Sequence, residues 1–449
     1  MEVANKNVLV VGLGKSGVAS ALFLKSRGAH VTVSDTKPRE QFSNELSLLL
    51  DYGIAIETGG HGERTFRGQD LIVVSPGVPF DAPLLQQARA VGEMVIGEIE
   101  LAAQFFPGRM IAITGSNGKT TTTALTGEVI AAAGFHTLVG GNIGTPAISL
   151  VENSTPETVA VLEVSSFQLE TIQTYRPHIA VVLNVTPDHL DRHRTFVAYT
   201  SAKARIFENQ QQDDFAVLNA DDPTCVSLAA AAKAKLSWFS RKKEVEQGAF
   251  VRDAHIFFRD GNDEKEIMPI AEISLKGSHN VENVLAAASV GMLMRCDPDQ
   301  IRKTIREFKA VEHRLEYVAT IRGVEYYNDS KATNVDATIK AIESFPANIH
   351  LILGGKDKGS DYSVLNDLLR QRVKAVYTIG AAAAKIESQI KTATEIVHAE
   401  TLDAAVKRAA KVAHPGDIVL LAPACASFDQ FQNYEHRGKT FKEIVKTLA

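Results

Sequence analysis

The residues best suited to chemistry lie in one short stretch, Thr114-Gly115-Ser116-Asn117-Gly118-Lys119-Thr120-Thr121. It follows an apolar run over 110–113, which reads as a buried strand, and it leads into a helical pattern. That order is what a phosphate-binding loop needs. Backbone N–H groups wrap the phosphates and the helix start adds positive potential. Lys119 reaches the terminal phosphates, and the Thr120 hydroxyl is offered to Mg²⁺. One position departs from the full spacing: Ile113 stands where the first glycine is expected.

A second glycine pattern, Gly12-Leu13-Gly14-Lys15-Ser16-Gly17, follows an apolar run over 7–11, and Asp35 ends the next strand. Glycines so spaced, with an acid about 20 residues on, form a dinucleotide fingerprint. They report a tight turn and a close approach to a phosphate, and they do not name the nucleotide. NAD, a non-nicotinamide nucleotide and a purely structural turn all fit. The loop at 114–121 weighs against a dehydrogenase. Ser75-Pro76-Gly77 ends another apolar run, at the strand edge where open α/β sheets bind ligands.

Four further stretches read as parts of a site. Glu163 ends an apolar run, where a carboxylate is costly unless paired or metal-bound. Residues 184–193 crowd Asp188, His189, Asp191, Arg192 and His193 behind a buried strand, and His189 is suited to a metal as neutral imidazole. Lys203 reads only as a lysine on a helix, with a solvated face as its default. Arg314, Asp329, Lys331 and Lys358, with the stretch 424–434, fall mostly after predicted strands and so converge on one sheet edge.

The elements that position these residues alternate. Strands are expected at 7–11, 30–34, 71–74, 110–113, 159–164, 179–185 and 215–218. Between them come helices ending near 27 and running over 98–105 and 199–208. Such runs predict an α/β chain with mostly parallel sheets covered on both faces. Residues 249–258 and 266–270 read as an antiparallel edge of two short strands turning at 260–262. Asp297-Pro298 starts a helix, and strands follow at 316–320, 324–327, 351–353, 375–379 and 418–421. A last helix is expected over 439–448.

The 449 residues suggest about three domains. We place them at 1–97, 98–309 and 310–449. At 45% apolar, 22% charged and a net charge of −5, the chain offers no footprint of a nucleic-acid or membrane partner. Cys225, Cys296 and Cys425 make no metal-binding pair and read as buried thiols. Without a leader pattern or an apolar span of membrane length, a cytoplasmic protein without membrane insertion is expected.

Together these motifs resemble the Mur ligases of peptidoglycan synthesis, from Val8 to the last helix. That family's loop is Thr-Gly-Ser/Thr-x-Gly-Lys-Ser/Thr, so Ile113 is ordinary there. Residues 184–193 match its second signature. Asn328-Asp329-Ser330-Lys331-Ala332-Thr333-Asn334 matches the branch that adds D-glutamate. The resemblance implies a Rossmann-like first domain, a central ATPase-type domain with a phosphate loop, and a Rossmann-like third domain. It implies an ATP-dependent ligase that joins D-glutamate to UDP-N-acetylmuramoyl-L-alanine through an acyl phosphate. The uridine substrate then belongs to Gly14, Lys15, Ser16, Asp35, Thr36, Ser75, Pro76, Gly77 and Asn142. ATP belongs to residues 115–121 with Asn280, Asn283, Arg314 and Asp329. Two Mg²⁺ ions are implied on Thr120, Glu163, His189 and Lys203, the last carrying a CO₂-derived carbamate. Lys119, His189 and Lys203 are the implied catalytic residues. Lys331, Thr333, Lys358, Ser427 and Tyr434 are implied for D-glutamate, although the family often has Phe at the place of Tyr434. A monomer is expected, with hinges near 97 and 310. The alternatives are another Mur-type step, an NAD-dependent dehydrogenase on Gly12–Gly17, and a nucleotide-gated binding protein.

Overall fold

The computed structural model describes residues 1–275, 277–309 and 311–448. The first sheet has strands Asn7–Val11 (β1), His30–Asp35 (β2), Ala55–Thr58 (β3), Leu71–Val74 (β4) and Met94–Gly97 (β5), all parallel in the order β3-β2-β1-β4-β5. The strand order reverses between β1 and β4, so the turn after Val11 and Ser75-Pro76-Gly77 lie side by side at the ligand-binding edge.

The central sheet has strands Arg109–Thr114 (β6), Thr137–Gly141 (β7), Val159–Glu163 (β8), Ile179–Val182 (β9), Phe215–Asn219 (β10), Lys235–Ser240 (β11), Gly248–Arg252 (β12), His255–Asp260 (β13) and Asp263–Pro269 (β14). Their order is β14-β13-β12-β11-β10-β9-β6-β8-β7. It is parallel from β7 to β12 and antiparallel over the last two pairings. β6 is flanked by β8 and β9, which carries Glu163 and the 184–193 stretch to either side of the phosphate loop.

The third sheet has strands Glu316–Ile321 (β15), Val324–Asn328 (β16), Ile349–Gly354 (β17), Val373–Ile379 (β18), Glu395–Glu400 (β19) and Ile418–Leu421 (β20), in the order β15-β16-β20-β17-β18-β19. The last strand to be made inserts between β16 and β17, so the loops after these three strands are neighbours.

By compactness the chain forms two units, Met1–Ala271 with Asn283–Ile305, and Glu272–Glu282 with Arg306–Ala449. Ala310, the expected second hinge, lies outside the described residues. Among the described residues no helix is long and apolar enough to cross a membrane. All three cysteines are free and buried.

Three expectations need correction. Residues 249–258 are two strands, split at Asp253 and Ala254, which both take left-handed φ values of 48° and 60°. Two such residues make the hairpin turn whose twist suits its strands, although neither is glycine. The strand expected at 179–185 stops at Val182. Val185 N–H turns instead to Asp222 Oδ2 at 2.9 Å. The last helix starts at Tyr434, not 439, because the Asn433 side chain accepts from His436 N–H at 2.7 Å as its cap.

Candidate active site

The first glycine turn is built by contact. A Cβ on Gly17 would lie 1.8 Å from Gly12 O, so only glycine lets the helix Lys15–Ser26 pack on β1. Asp35 closes the turn, accepting from Leu13 N–H at 2.7 Å and Lys37 N–H at 2.9 Å. Ser75 Oγ donates to Gly12 O at 3.1 Å and so ties the two turns together. Gly14 faces open space, with no heavy atom within 4 Å of a Cβ placed there. Lys15, Thr36, Gly77 and Asn142 are exposed, and Ser16 and Pro76 partly so.

The second turn is denser. Gly118 caps the helix Lys119–Ala132 at φ 83°, and a Cβ there would lie 2.3 Å from Asn283 Oδ1. Lys119 Nζ donates to Gly115 O at 2.8 Å and Ser116 O at 2.9 Å, curled over its own loop. Asn184 clasps Asn117, accepting from its N–H at 2.8 Å and donating to its carbonyl at 3.1 Å. Ser116 Oγ lies 2.9 Å from Tyr199 OH and 2.9 Å from Thr186 O. The second glycine turn is thus held by residues of two other segments, 184–186 and the helix that carries Tyr199. Neither is singled out by the sequence: Asn184 falls at the start of the 184–193 stretch and Tyr199 has no signal beyond its helix.

Beneath the turn, Thr120 Oγ1 donates to Glu163 Oε2 at 2.7 Å and Asn142 Nδ2 donates to Glu163 Oε1 at 2.9 Å. Glu163 is 2% exposed. Hydroxyl and carboxylate oxygens side by side, poor in water, fit a hard divalent cation. Among the described residues no group of three or more His, Cys, Asp and Glu is close enough to hold a metal by itself. A cation here would therefore draw on oxygens other than carboxylates, the Thr120 hydroxyl among them.

Lys203 overturns its default reading. Only 1% exposed, its Nζ donates to Gly115 O at 2.9 Å and Thr114 Oγ1 at 3.3 Å, with the Tyr199 ring 4.7 Å away. Burial and then Lys119 pull its pKa well down, against Asp188 and Glu163. Two lysines thus share the carbonyl of Gly115. His189 takes a left-handed φ of 53°, with its ring edge-on to Phe167 at 4.9 Å.

In the second unit, the loops after β16, β17 and β20 meet. Gly354 N–H donates to Pro423 O at 2.9 Å, and Lys356 pairs with Ala426. Lys331 Nζ sits 3.8 Å over the Tyr434 ring, and Ser330 Oγ donates to Tyr434 O at 2.8 Å. Tyr434 therefore does join the motif at 328–334. Ser427 is buried, Thr333 partly so, and Lys358 is exposed. Burial raises the Asp329 pKa to about 6, against the pull of Arg314, and Asp329 Oδ1 accepts from Leu315 N–H at 3.2 Å. Asn280 is buried in this unit, whereas Asn283 belongs to the first, where its Oδ1 accepts from Thr122 Oγ1 at 3.2 Å.

Sequence reasoning missed Arg437. It is fully buried and donates from Nη2 to Ser330 O at 2.8 Å, from Nε to Ser330 Oγ at 3.0 Å and from Nη1 to Cys425 O at 3.2 Å. It pins the loop after β16 to the loop after β20. Burial lowers its pKa only to about 10, so it stays charged. It escaped notice because its helix was expected to begin beyond it.

The chain matches three family models: the Mur ligase MurD-like N-terminal domain over residues 6–97, the Mur ligase middle domain over 113–291, and the Mur ligase glutamate ligase domain over 313–425. It is 66% identical over 449 residues to a UDP-N-acetylmuramoylalanine–D-glutamate ligase of Koribacter versatilis, covering 100% of this chain and 99% of that one. A protein of the same description from Acidobacterium capsulatum is 58% identical, covering 99% and 97%. Among solved structures, the fold is similar to UDP-N-acetylmuramate-alanine ligase of Thermotoga maritima, at TM-score 0.61 and 20% identity over 99% of this chain and 100% of that one. It is equally similar to the MurF ligase of Thermotoga maritima in complex with ADP, at TM-score 0.61 and 17% identity over 100% and 97%.

Proposed function

The chain belongs to the Mur ligase family, and from that premise we propose that it uses ATP to join D-glutamate to the L-alanyl carboxylate of UDP-N-acetylmuramoyl-L-alanine, in peptidoglycan precursor synthesis. What carries this reading is 66% identity across the whole chain to a relative of that description. The glycine pattern at 12–17 accordingly serves a ligase's first domain and not a dehydrogenase.

The division of labour follows the three domains, 1–97, 98–309 and 310–449. The first holds the uridine nucleotide on Gly14, Lys15, Ser16, Asp35, Thr36 and Ser75-Pro76-Gly77, with Asn142 beside the sugar peptide. Residues 115–121 take the ATP phosphates, and Asn280, Asn283, Arg314 and Asp329 are assigned to the rest of ATP. The substrate carboxylate attacks the γ-phosphate and ADP leaves. The free amine of D-glutamate then attacks the acyl phosphate carbonyl, and phosphate leaves. Lys119 neutralises charge on the transferring group, the main thing phosphoryl transfer asks of a protein. Mg²⁺ held by Thr120 and Glu163 supplies further charge neutralisation when bound.

Lys203 and His189 serve a second ion in this reading. A buried lysine held as the free amine is the form that adds CO₂, which gives a carbamate and releases a proton. The observations behind this are the 1% exposure of Lys203 and its lowered pKa. Lys331, Thr333, Lys358, Ser427 and Tyr434 take D-glutamate, whose two carboxylates ask for donors at a fixed separation. The enzyme works as a cytoplasmic monomer on small molecules, which light scattering would check. The central test is phosphate release from ATP with UDP-N-acetylmuramoyl-L-alanine and each amino acid in turn. D-glutamate should support turnover, and L-glutamate, D-alanine, L-lysine and meso-diaminopimelate should give little. Efficient use of L-lysine or the diamino acid would overturn the assignment.

A further inference from the structure

Arg192 stands three residues beyond His189, and its contacts run to the first sheet. Its Nη1 donates to Pro76 O at 3.1 Å and its Nη2 to Val78 O at 2.9 Å. Those carbonyls flank Gly77 in the turn after β4. The same guanidinium lies 4.2 Å from the centre of the Phe167 ring and 3.6 Å from Glu170 Oε2. Phe167 is itself built in. Ser165 and Gln168 form a capping box around the helix Ser166–Leu169 that carries it. Its ring stacks on His193 at 5.3 Å and meets His189 edge-on at 4.9 Å. Glu170 Oε1 lies 3.2 Å from His193 Nδ1, and His193 Nε2 lies 2.9 Å from Ser166 Oγ. One side chain therefore touches both the substrate turn of the first sheet and the ring against which His189 rests.

Exposure separates this contact from an ordinary surface pair. The Arg192 and Glu170 side chains are 18% and 26% exposed, whereas those of the neighbouring Arg194–Asp81 pair are 81% and 63% exposed. Pairs of the second kind contribute little. The planar fork of arginine spans two carbonyls at once, which a lysine ammonium does not do in the same geometry.

We infer that Arg192 is a positioning residue that sets the turn Ser75-Pro76-Gly77 in register with His189 and the phosphate loop. The inference rests on the reading that this turn holds the uridine substrate. UDP binds the first sheet alone and needs no such register. Phosphoryl transfer does, because the substrate carboxylate must meet the γ-phosphate in line, and a misplacement of about 1 Å costs on the order of a hundredfold.

The test compares Arg192→Ala, Arg192→Lys and Arg194→Ala with the wild type in UDP affinity by calorimetry, melting temperature, and kcat and KM for each substrate. Arg192→Ala should bind UDP within about twofold of wild type, yet lose at least about tenfold in kcat. Arg192→Lys, which keeps the charge but not the fork, should stay at least about fivefold down. Arg194→Ala should match wild type. A lowered melting temperature with kcat intact would make Arg192 a structural tie and overturn the inference. So would UDP affinity falling in step with activity, or full recovery in Arg192→Lys. If Arg192→Ala does not fold, Arg192→Lys and Arg192→Gln carry the same comparison. An inactive wild type with D-glutamate would break the reading of function instead, whereas an active wild type beside a normal Arg192 variant breaks this inference alone.

Discussion

Both glycine-rich turns leave a buried parallel strand and enter a helix, and both lie at the edge where their sheet binds ligands. Their surroundings differ. The turn at Gly12–Gly17 is closed by one carboxylate, Asp35, and one hydroxyl, Ser75, and leaves Gly14 facing open space. The turn at Gly115–Gly118 is gripped by Asn184 and Tyr199 and shares its Gly115 carbonyl between Lys119 and Lys203. Glycine spacing therefore reports the shape of a loop, and the segments packed around it decide its chemistry. On the proposed reading, the first turn holds a phosphate still. The second concentrates buried charge where phosphoryl transfer needs it.

The sharpest way to break this contrast is Lys119→Ala. It should leave melting temperature and UDP affinity unchanged while kcat falls about 10²–10³-fold. Near-normal turnover would erase the distinction between the turns. Lys203→Ala should cost on the order of a hundredfold in the same assay, since it removes the amine that would carry the carbamate for the second ion. Short carboxylates should restore part of that activity, and labelled bicarbonate should give a carbamate carbon signal in the wild type only. Absence of both effects would reduce Lys203 to a buried structural amine.

Lys358→Ala lies outside both turns. Losing one charge-assisted hydrogen bond of about 1.5–3 kcal/mol should lower kcat/KM for D-glutamate roughly ten- to a hundredfold. Affinities for ATP and the uridine substrate should hold, and a fall in either would undo its assignment. Gly14→Ala sharpens the contrast from the other side. Its backbone is already at φ −72° and its Cβ meets nothing, so stability should change by less than about 0.5 kcal/mol. Uridine-substrate KM should nevertheless rise about tenfold if a diphosphate uses that space, one tenfold being about 1.4 kcal/mol. An unchanged KM would return the first turn to pure structure.

The smallest effect is one of pH. With its pKa raised to about 6, Asp329 loses its charge as pH falls through that value. KM for ATP should then rise a few-fold below about pH 6, and Asp329→Asn should flatten that dependence. The stability effect has the opposite sense. A carboxyl whose folded pKa is raised favours folding most below its unfolded value, and that contribution fades as pH climbs toward 6. Acid should therefore not unfold the protein through this group.

Local signals were legible and distant ones were not. Gly118-Lys119-Thr120 announces itself because loop, helix start and lysine are adjacent in the chain. Glu163 was readable as a carboxylate at the end of an apolar run. Lys203 was not, because its burial depends on a carbonyl 88 positions away, and nothing in its helix, Phe196–Ala204, distinguishes it from a solvated lysine. The strands Lys235–Ser240 and Glu395–Glu400 escaped because their mixed burial leaves no apolar run to read. The hairpin at Asp253-Ala254 escaped because its left-handed pair lacks the glycine that usually marks one.

Arg437 has a consequence for timing. Its bond to Ser330 joins residues 107 positions apart. A ribosome adding about 5–20 residues per second needs roughly 5–20 s to cover that distance. During that interval the loop at 328–334 is already synthesised but lacks the guanidinium that fixes it to the loop after β20. The strand β20 also arrives late, between two strands made before it. On the proposed reading, the amino-acid pocket is thus the last part of the enzyme that a nascent chain can complete, after the turn at Gly12–Gly17 is free to fold. A chain stalled short of residue 437 would carry the loop at 328–334 without the guanidinium that fixes it to the loop after β20.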